Sequence, residues 1–258
     1  MKIISAPTAP LYSEPDLRSE HIDEALFGMS LDILDTVGCF YKVNMFYGYE
    51  GYVEKIFVCD RLHEPNMMVC VSFADLLPEG KNFYRPILTL PQGALVDVGF
   101  SEKFKRYGFL VLPTKRVYYI HRNHIKTLPK NKTESQTRTG LKRSATSYLG
   151  TQYRWGGKTH SGIDCSGLAW MTYYLNGIQI YRDADIKRSP NLRSIPFSEA
   201  KIGDLLYFPG HMAVYIGNDE FIHSSAEQGM VCINSFDSKK SNYNEYLAKN
   251  LLYTGTIF

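Results

Sequence analysis

One cysteine stands apart by its neighbours. Cys165 lies in Ser161-Gly162-Ile163-Asp164-Cys165-Ser166-Gly167-Leu168, a glycine-bounded turn that runs straight into the apolar stretch Leu168 to Leu175. That order reads as a thiol at the N-terminus of a helix, where unpaired backbone N–H groups and the positive dipole end favour a thiolate nucleophile. Two histidines follow, His211 in Pro209-Gly210-His211-Met212-Ala213 and His223 in Phe221-Ile222-His223-Ser224. Such a set supplies a nucleophile, a general base and a group that orients the base. The expectation is that His211 takes the thiol proton, giving a thiolate–imidazolium pair. His223 then holds the far ring nitrogen of His211.

The remaining thiols do not invite this reading. Cys39, Cys59, Cys70 and Cys232 all have apolar neighbours and resemble ordinary small residues. Five cysteines is an odd number, and none form a CxxC pair, which excludes a zinc ribbon or a full disulfide framework. Free thiols suit a reducing compartment. His121 and His124 are spaced i, i+3, but no third ligand accompanies them. No metal or organic cofactor is expected.

The elements that must position the three residues can be read from periodicity. Arg138 to Leu149 has helical spacing in Leu141, Ala145, Tyr148 and Leu149, and Gly150 is placed to end it. The Cys165 helix comes next. Leu205 to Phe208 and His211 to Ile216 read as strands. Gly217-Asn218-Asp219 is a hairpin turn that folds Glu220 to His223 back on the second of them. Val231 to Asn234 and Leu252 to Thr256 extend the sheet. Helices first and an antiparallel sheet after make an α+β domain.

The first half of the chain is different. Short strands separated by turns, at Ile3, Leu11, Ser30 to Leu34, Phe40 to Asn44 and Gly51 to Val53, predict a small barrel over residues 1–60. Val69 to Ala74, Tyr84 to Leu90, Ala94 to Val98, Phe109 to Leu112 and Arg116 to Ile120 predict a second over 61–128. The polar segment 129–137 reads as the linker into residues 138–258. A net charge of +3, with both signs mixed along the chain, is too weak to argue for nucleic acid. No run reaches the ~18 apolar residues of a membrane span, and the first residues lack a signal-peptide core. A cytoplasmic monomer that binds neither nucleic acid nor membrane is expected.

Residues from about 138 to the end resemble the NlpC-type cysteine peptidases of bacterial cell-wall metabolism. The resemblance rests on Tyr153-Arg154-Trp155-Gly156-Gly157, Gly162-Ile163-Asp164-Cys165-Ser166-Gly167-Leu168, Gly203-Asp204-Leu205-Leu206-Tyr207-Phe208, His211 to Gly217, and Ile222-His223-Ser224. It implies a papain-like α+β core with Cys165 as nucleophile, His211 as base and His223 as third polar residue. The oxyanion would meet the Cys165 backbone N–H and a side chain near Tyr153. Ser19 to Gly28 and Gly48-Tyr49-Glu50-Gly51-Tyr52-Val53 resemble bacterial SH3-like domains, with Tyr52 where Trp is usual.

Two such domains ahead of the peptidase resemble γ-D-glutamyl-L-diamino acid endopeptidases of murein peptide recycling. That resemblance implies a substrate with a free N-terminal L-Ala, such as a murein tripeptide or related stem peptide. Asp164 and Ser166 match positions that hold its amino end, Tyr153 and Trp155 match the groove wall, and Asp183 matches a substrate-side loop. Glu20 and Tyr49 are the candidates from the first SH3-like domain. Ala184 stands where a hydroxyl is often found. Two rival readings are a secreted lysin that cuts intact wall and a silent wall-peptide binding module. Retention of Cys165, His211 and His223 together speaks against the second.

Overall fold

The structure, a computed structural model, describes residues 1–78, 85–112, 116–130, 132–189 and 191–258. It divides into two compact units, Met1–Leu128 and Pro129–Phe258. Tyr84, where a strand was expected to begin, lies outside the described residues.

In the first unit an antiparallel seven-stranded sheet runs in the order His21–Leu26, Thr8–Tyr12, Glu50–Glu54, Phe40–Met45, Ser30–Val37, Lys2–Ile4, Val58–Asp60. The strand His21–Leu26 lies within the Ser19 to Gly28 segment that carries the SH3-like resemblance. It alternates poorly, because Asp23 and Glu24 are buried. The Asp23 carboxylate is satisfied there by the Tyr47 hydroxyl at 2.6 Å.

The second half of this unit has a five-stranded and a three-stranded sheet around Val69, Leu76, Leu90, Val96, Leu110 and Ile120. The run Val69 to Ala74, expected as one strand, is split into Met67–Val69 and Phe73–Pro78, which belong to different sheets. The two barrels are not independent. Phe27 from the first joins the core of the second, and its carbonyl accepts the Leu95 amide at 2.8 Å. Gly28 has φ +80°, and a Cβ there would overlap the Leu95 carbonyl, so the junction demands glycine.

In the second unit helix α1 spans Glu134–Thr146, α2 Cys165–Tyr174 and α3 Glu245–Lys249. Helix α1 begins four residues before the expected Arg138, inside the segment read as linker. The cause is a capping box: Thr133 Oγ1 accepts the Gln136 amide at 3.3 Å, and the Gln136 side chain accepts the Thr133 amide at 3.1 Å. The sheet strands are β1 Arg193–Ile195, β2 Leu205–Phe208, β3 His211–Gly217, β4 Glu220–Ser225, β5 Met230–Ser235 and β6 Tyr253–Thr256. They pair antiparallel in the order β1-β6-β2-β3-β4-β5. The β3–β4 turn has Asn218 and Asp219 at φ +57° and +58°, the paired positive values of a type I′ hairpin. Helix α2 packs on α1 and on β3 and β4. Every residue from Cys165 to Tyr173 is buried, which accounts for its being apolar all round. The whole is α+β. No helix among the described residues is long and apolar enough to cross a membrane.

Candidate active site

Asp164 is the N-cap of α2. Its extended backbone (ψ 179°) turns the chain into the helix, and its Oδ1 accepts the Gly167 amide at 2.5 Å. Cys165 is therefore the first helical residue and is 9% exposed. The carboxylate does more than cap. Oδ2 accepts the Gly156 amide at 2.7 Å, and the buried guanidinium of Arg182 grips both oxygens at 3.1 and 3.0 Å. Arg182 also donates to Ser166 Oγ at 2.7 Å. Glycine is required where these segments meet, because a Cβ on Gly167 would strike the Gly157 carbonyl. On the sheet side, Ser224 Oγ donates to the Ile163 carbonyl at 2.7 Å, tying β4 to the segment that enters α2.

The base side is built from β3, β4 and β5. His211 begins β3, directly after Gly210 at φ +63°. Its Nε2 lies 2.8 Å from His223 Nδ1, and His223 Nε2 lies 2.8 Å from Asn234 Oδ1. His223 is 2% exposed. In the β4–β5 register His223 faces Cys232, and Asn234 shares the face of Cys232 two residues on. Cys232 Sγ is 3.4 Å from His223 Nε2. The Met212 amide, one residue past His211, bonds the Cys165 thiol, which brings the start of β3 against the start of α2.

Burial works against the expected thiolate–imidazolium pair. Burial, helped by the charge of Asp164, pushes the Cys165 thiol up to about 11. The Met212 amide, Arg182 and the Ser166 amide pull the other way and lose. Burial, and then the neighbouring His223, lowers His211 to about 3. His223 is lowered by burial against opposing contributions from Asn234 and Glu227. Taken singly, burial pushes each group toward its neutral form, against the helix end that favours a thiolate.

Asp164 was expected, with Ser166, to match positions that hold the amino end of the substrate. Both of its oxygens already carry an amide and a guanidinium donor, so it fixes the turn, and its charge is compensated by Arg182. Ser166 is 8% exposed beside it. Tyr153 is half-buried. Burial, and then the charges of Cys165 and Asp164, push its phenol up to about 12, so it stays a hydroxyl donor at neutral pH. Trp155 is 59% exposed and Asp183 half-buried, with the Asp183 charge raising the Tyr181 phenol. Glu20 and Tyr49 lie in the first unit, Glu20 exposed and Tyr49 stacked on Tyr47 at 6.4 Å. Sequence reasoning missed Arg182 and Asn234. The contacts of Asn234 follow from strand register, and Arg182 carries no local signal at all.

Residues 150–251 match the NlpC/P60 family, and residues 7–58 match the bacterial SH3 domain. A protein of Lysinibacillus sphaericus named dipeptidyl-peptidase 6 is 34% identical over 268 residues, spanning 99% of this chain and 99% of that one. The chain belongs to the NlpC/P60 family. It is thus a member of a family of cysteine peptidases, which is the chemistry the Cys165 and His211 elements are arranged for.

A γ-D-glutamyl-L-lysine dipeptidyl-peptidase of Bacillus subtilis is 34% identical to this NlpC/P60 protein over 85 residues, 30% of this chain and 28% of that one. A probable endopeptidase of Haemophilus influenzae is 44% identical over 95 residues, 36% of this chain and 51% of that one. A solved NlpC/P60 family protein from Bacillus cereus superposes with a TM-score of 0.82 over 98% of both chains. At 19% identity that likeness speaks for the fold.

Proposed function

We propose that this NlpC/P60 peptidase hydrolyses the bond between γ-D-Glu and the diamino acid in murein peptides with a free N-terminal L-Ala, a recycling reaction. The reading is supported above all by the full-length similarity to a dipeptidyl-peptidase, SH3-like region included. A dipeptidyl-peptidase acts from a free amino end, which fits a substrate with a free N-terminal L-Ala.

Cys165 is the nucleophile and His211 the base. As the thiol attacks the γ-carbonyl carbon, its proton passes to His211 and a C–S bond forms. The C–N bond then breaks, and His211 returns the proton to the leaving amine. Water, deprotonated by His211, cleaves the thioester to a carboxylate and restores the thiol. The burial of both groups suits this sequence, because substrate binding displaces the remaining water and strengthens the interaction of the separated charges. The Cys165 amide and the Tyr153 hydroxyl are the donors for the oxyanion. Ser166 and Asp183 receive the amino end, with Trp155 forming the wall. Asp164 positions the turn.

The test is cleavage of L-Ala-γ-D-Glu-diaminopimelate or its L-Lys analogue by the wild type and by Cys165→Ala. The wild type should release the free diamino acid and the variant nothing. Residual cleavage by a folded Cys165→Ala protein would sink the assignment. Faster digestion of intact sacculus than of soluble tripeptide would favour a wall-cutting lysin.

A further inference from the structure

We infer that Asn234 is a positioning residue that sets the tautomer of the base from two hydrogen bonds away. The inference rests on His211 being the base, and it starts from a group that cannot change its role. The backbone carbonyl of Asn242 only accepts, and an Asn234 side-chain atom lies 2.9 Å from it, so that atom is the NH2 group. The other end of the amide, Oδ1, is then an acceptor aimed at His223. Gln228 Nε2, a donor, approaches the same oxygen at 3.2 Å, which fits the same orientation.

The consequence propagates. An acceptor 2.8 Å from His223 Nε2 requires the proton on that nitrogen. A neutral His223 protonated at Nε2 has a bare lone pair at Nδ1. His211 Nε2, 2.8 Å from that lone pair, must therefore carry its own proton. The nitrogen of His211 left with a free lone pair is Nδ1, the one able to take the proton from Cys165. Reversing the Asn234 amide would set Oδ1 against the Asn242 carbonyl, acceptor against acceptor, so the chain has one favoured direction.

The neighbours do not undo this. Cys232 Sγ, 3.4 Å from His223 Nε2, is pushed up to about 11 by burial and stays a thiol. It can share the Nε2 proton but is a weaker acceptor than the amide oxygen. Glu227 acts on His223 only as a charge, raising its pKa against the effect of burial. Both histidines are lowered, so neither is doubly protonated at neutral pH, and the tautomer is a real choice between two neutral forms.

The experiment is nitrogen-15 NMR of the two histidine rings in the full-length chain at pH 7, with steady-state kinetics on the tripeptide. Wild-type His211 should be protonated at Nε2 and bare at Nδ1. Asn234→Ala should yield a mixture with the proton moved to Nδ1, and kcat lower by roughly 10- to 100-fold with KM within about 3-fold. Asn234→Leu, close in volume, takes its place if the Ala variant does not fold. A wild-type His211 carrying its proton on Nδ1 would overturn the inference, as would an Asn234→Ala or Asn234→Leu spectrum unchanged from wild type. The ring shifts are read without substrate, so they stand or fall separately from the choice of tripeptide.

Discussion

On the helix side of the site, Asp164 and Arg182 meet as an ion pair whose side chains are 8% and 1% exposed. On the sheet side, His211, His223 and Asn234 form a line of neutral hydrogen bonds. Each side holds one reacting group, and the two arrangements solve different problems. The nucleophile has to be placed, and a bidentate ion pair that also caps the helix places it. Such a pair costs several kcal/mol of desolvation and is recovered only when every lone pair is met. The base has to present one particular nitrogen, and that is a question of proton location. A charge there would raise the pKa of His211, whereas neutral amides direct the proton without doing so.

The largest effect should come from breaking the ion pair. Asp164→Ala removes the cap and leaves Arg182 buried without its carboxylate, so stability should fall by about 3–5 kcal/mol in denaturant unfolding. Adding Arg182→Met should restore a good part of it. A loss below ~1 kcal/mol in the single variant would mean that water reaches the pair.

Next in size is the sheet side. His223→Ala should cost on the order of 100-fold in kcat, with a smaller loss of stability than Asp164→Ala. If the stability loss were instead the larger of the two, the line of hydrogen bonds would be chiefly structural.

The third is a pH effect centred on the sheet side. The folded pKa of His211, about 3, lies below the unfolded value of about 6.5, so the unfolded chain binds protons first as pH falls. The stability associated with neutral His211 is fully present above about 6.5 and is lost as pH falls from there toward 3. His160, lowered by burial to about 4, adds to the same slope. Stability should therefore fall between pH 7 and 4, on the order of 1 kcal/mol per pH unit per group, read as a declining melting temperature, and His211→Asn should flatten the profile. Equal profiles for the two proteins would show that His211 is not held neutral.

The smallest effect is expected at Cys232. Cys232→Ala removes the thiol beside His223 but not the Asn234 acceptor, so kcat should stay within about 3-fold of wild type. A larger loss would move Cys232 into the positioning chain.

Much of this arrangement was legible before any coordinates. The Asp164-to-Gly167 turn ahead of an apolar run announces a capped helix with Cys165 at its first position. The type I′ signal at Gly217-Asn218-Asp219 folds His223 back toward His211. The true start of α1 was missed because Thr133 and Gln136 sit in a polar stretch that looks like linker until they cap each other. The fusion of the two barrels was missed because Phe27 reads as one more strand-end aromatic. The burial of Cys165 was not legible for a similar reason. A helix end is visible in sequence, but the burial that opposes its effect depends on how β3 packs over α2. Arg182 and Asn234 lie in a loop and a strand that were anticipated, but only three-dimensional pairing gives them their partners.

The account stands or falls on the amino end of the substrate. L-Ala-γ-D-Glu-diaminopimelate and its N-acetylated form should be incubated separately with the enzyme and the products weighed by mass spectrometry. The expected result is release of free diaminopimelate and L-Ala-D-Glu from the first, with the acetylated peptide intact. Equal cleavage of both, or a cut at the L-Ala–D-Glu bond, would contradict it.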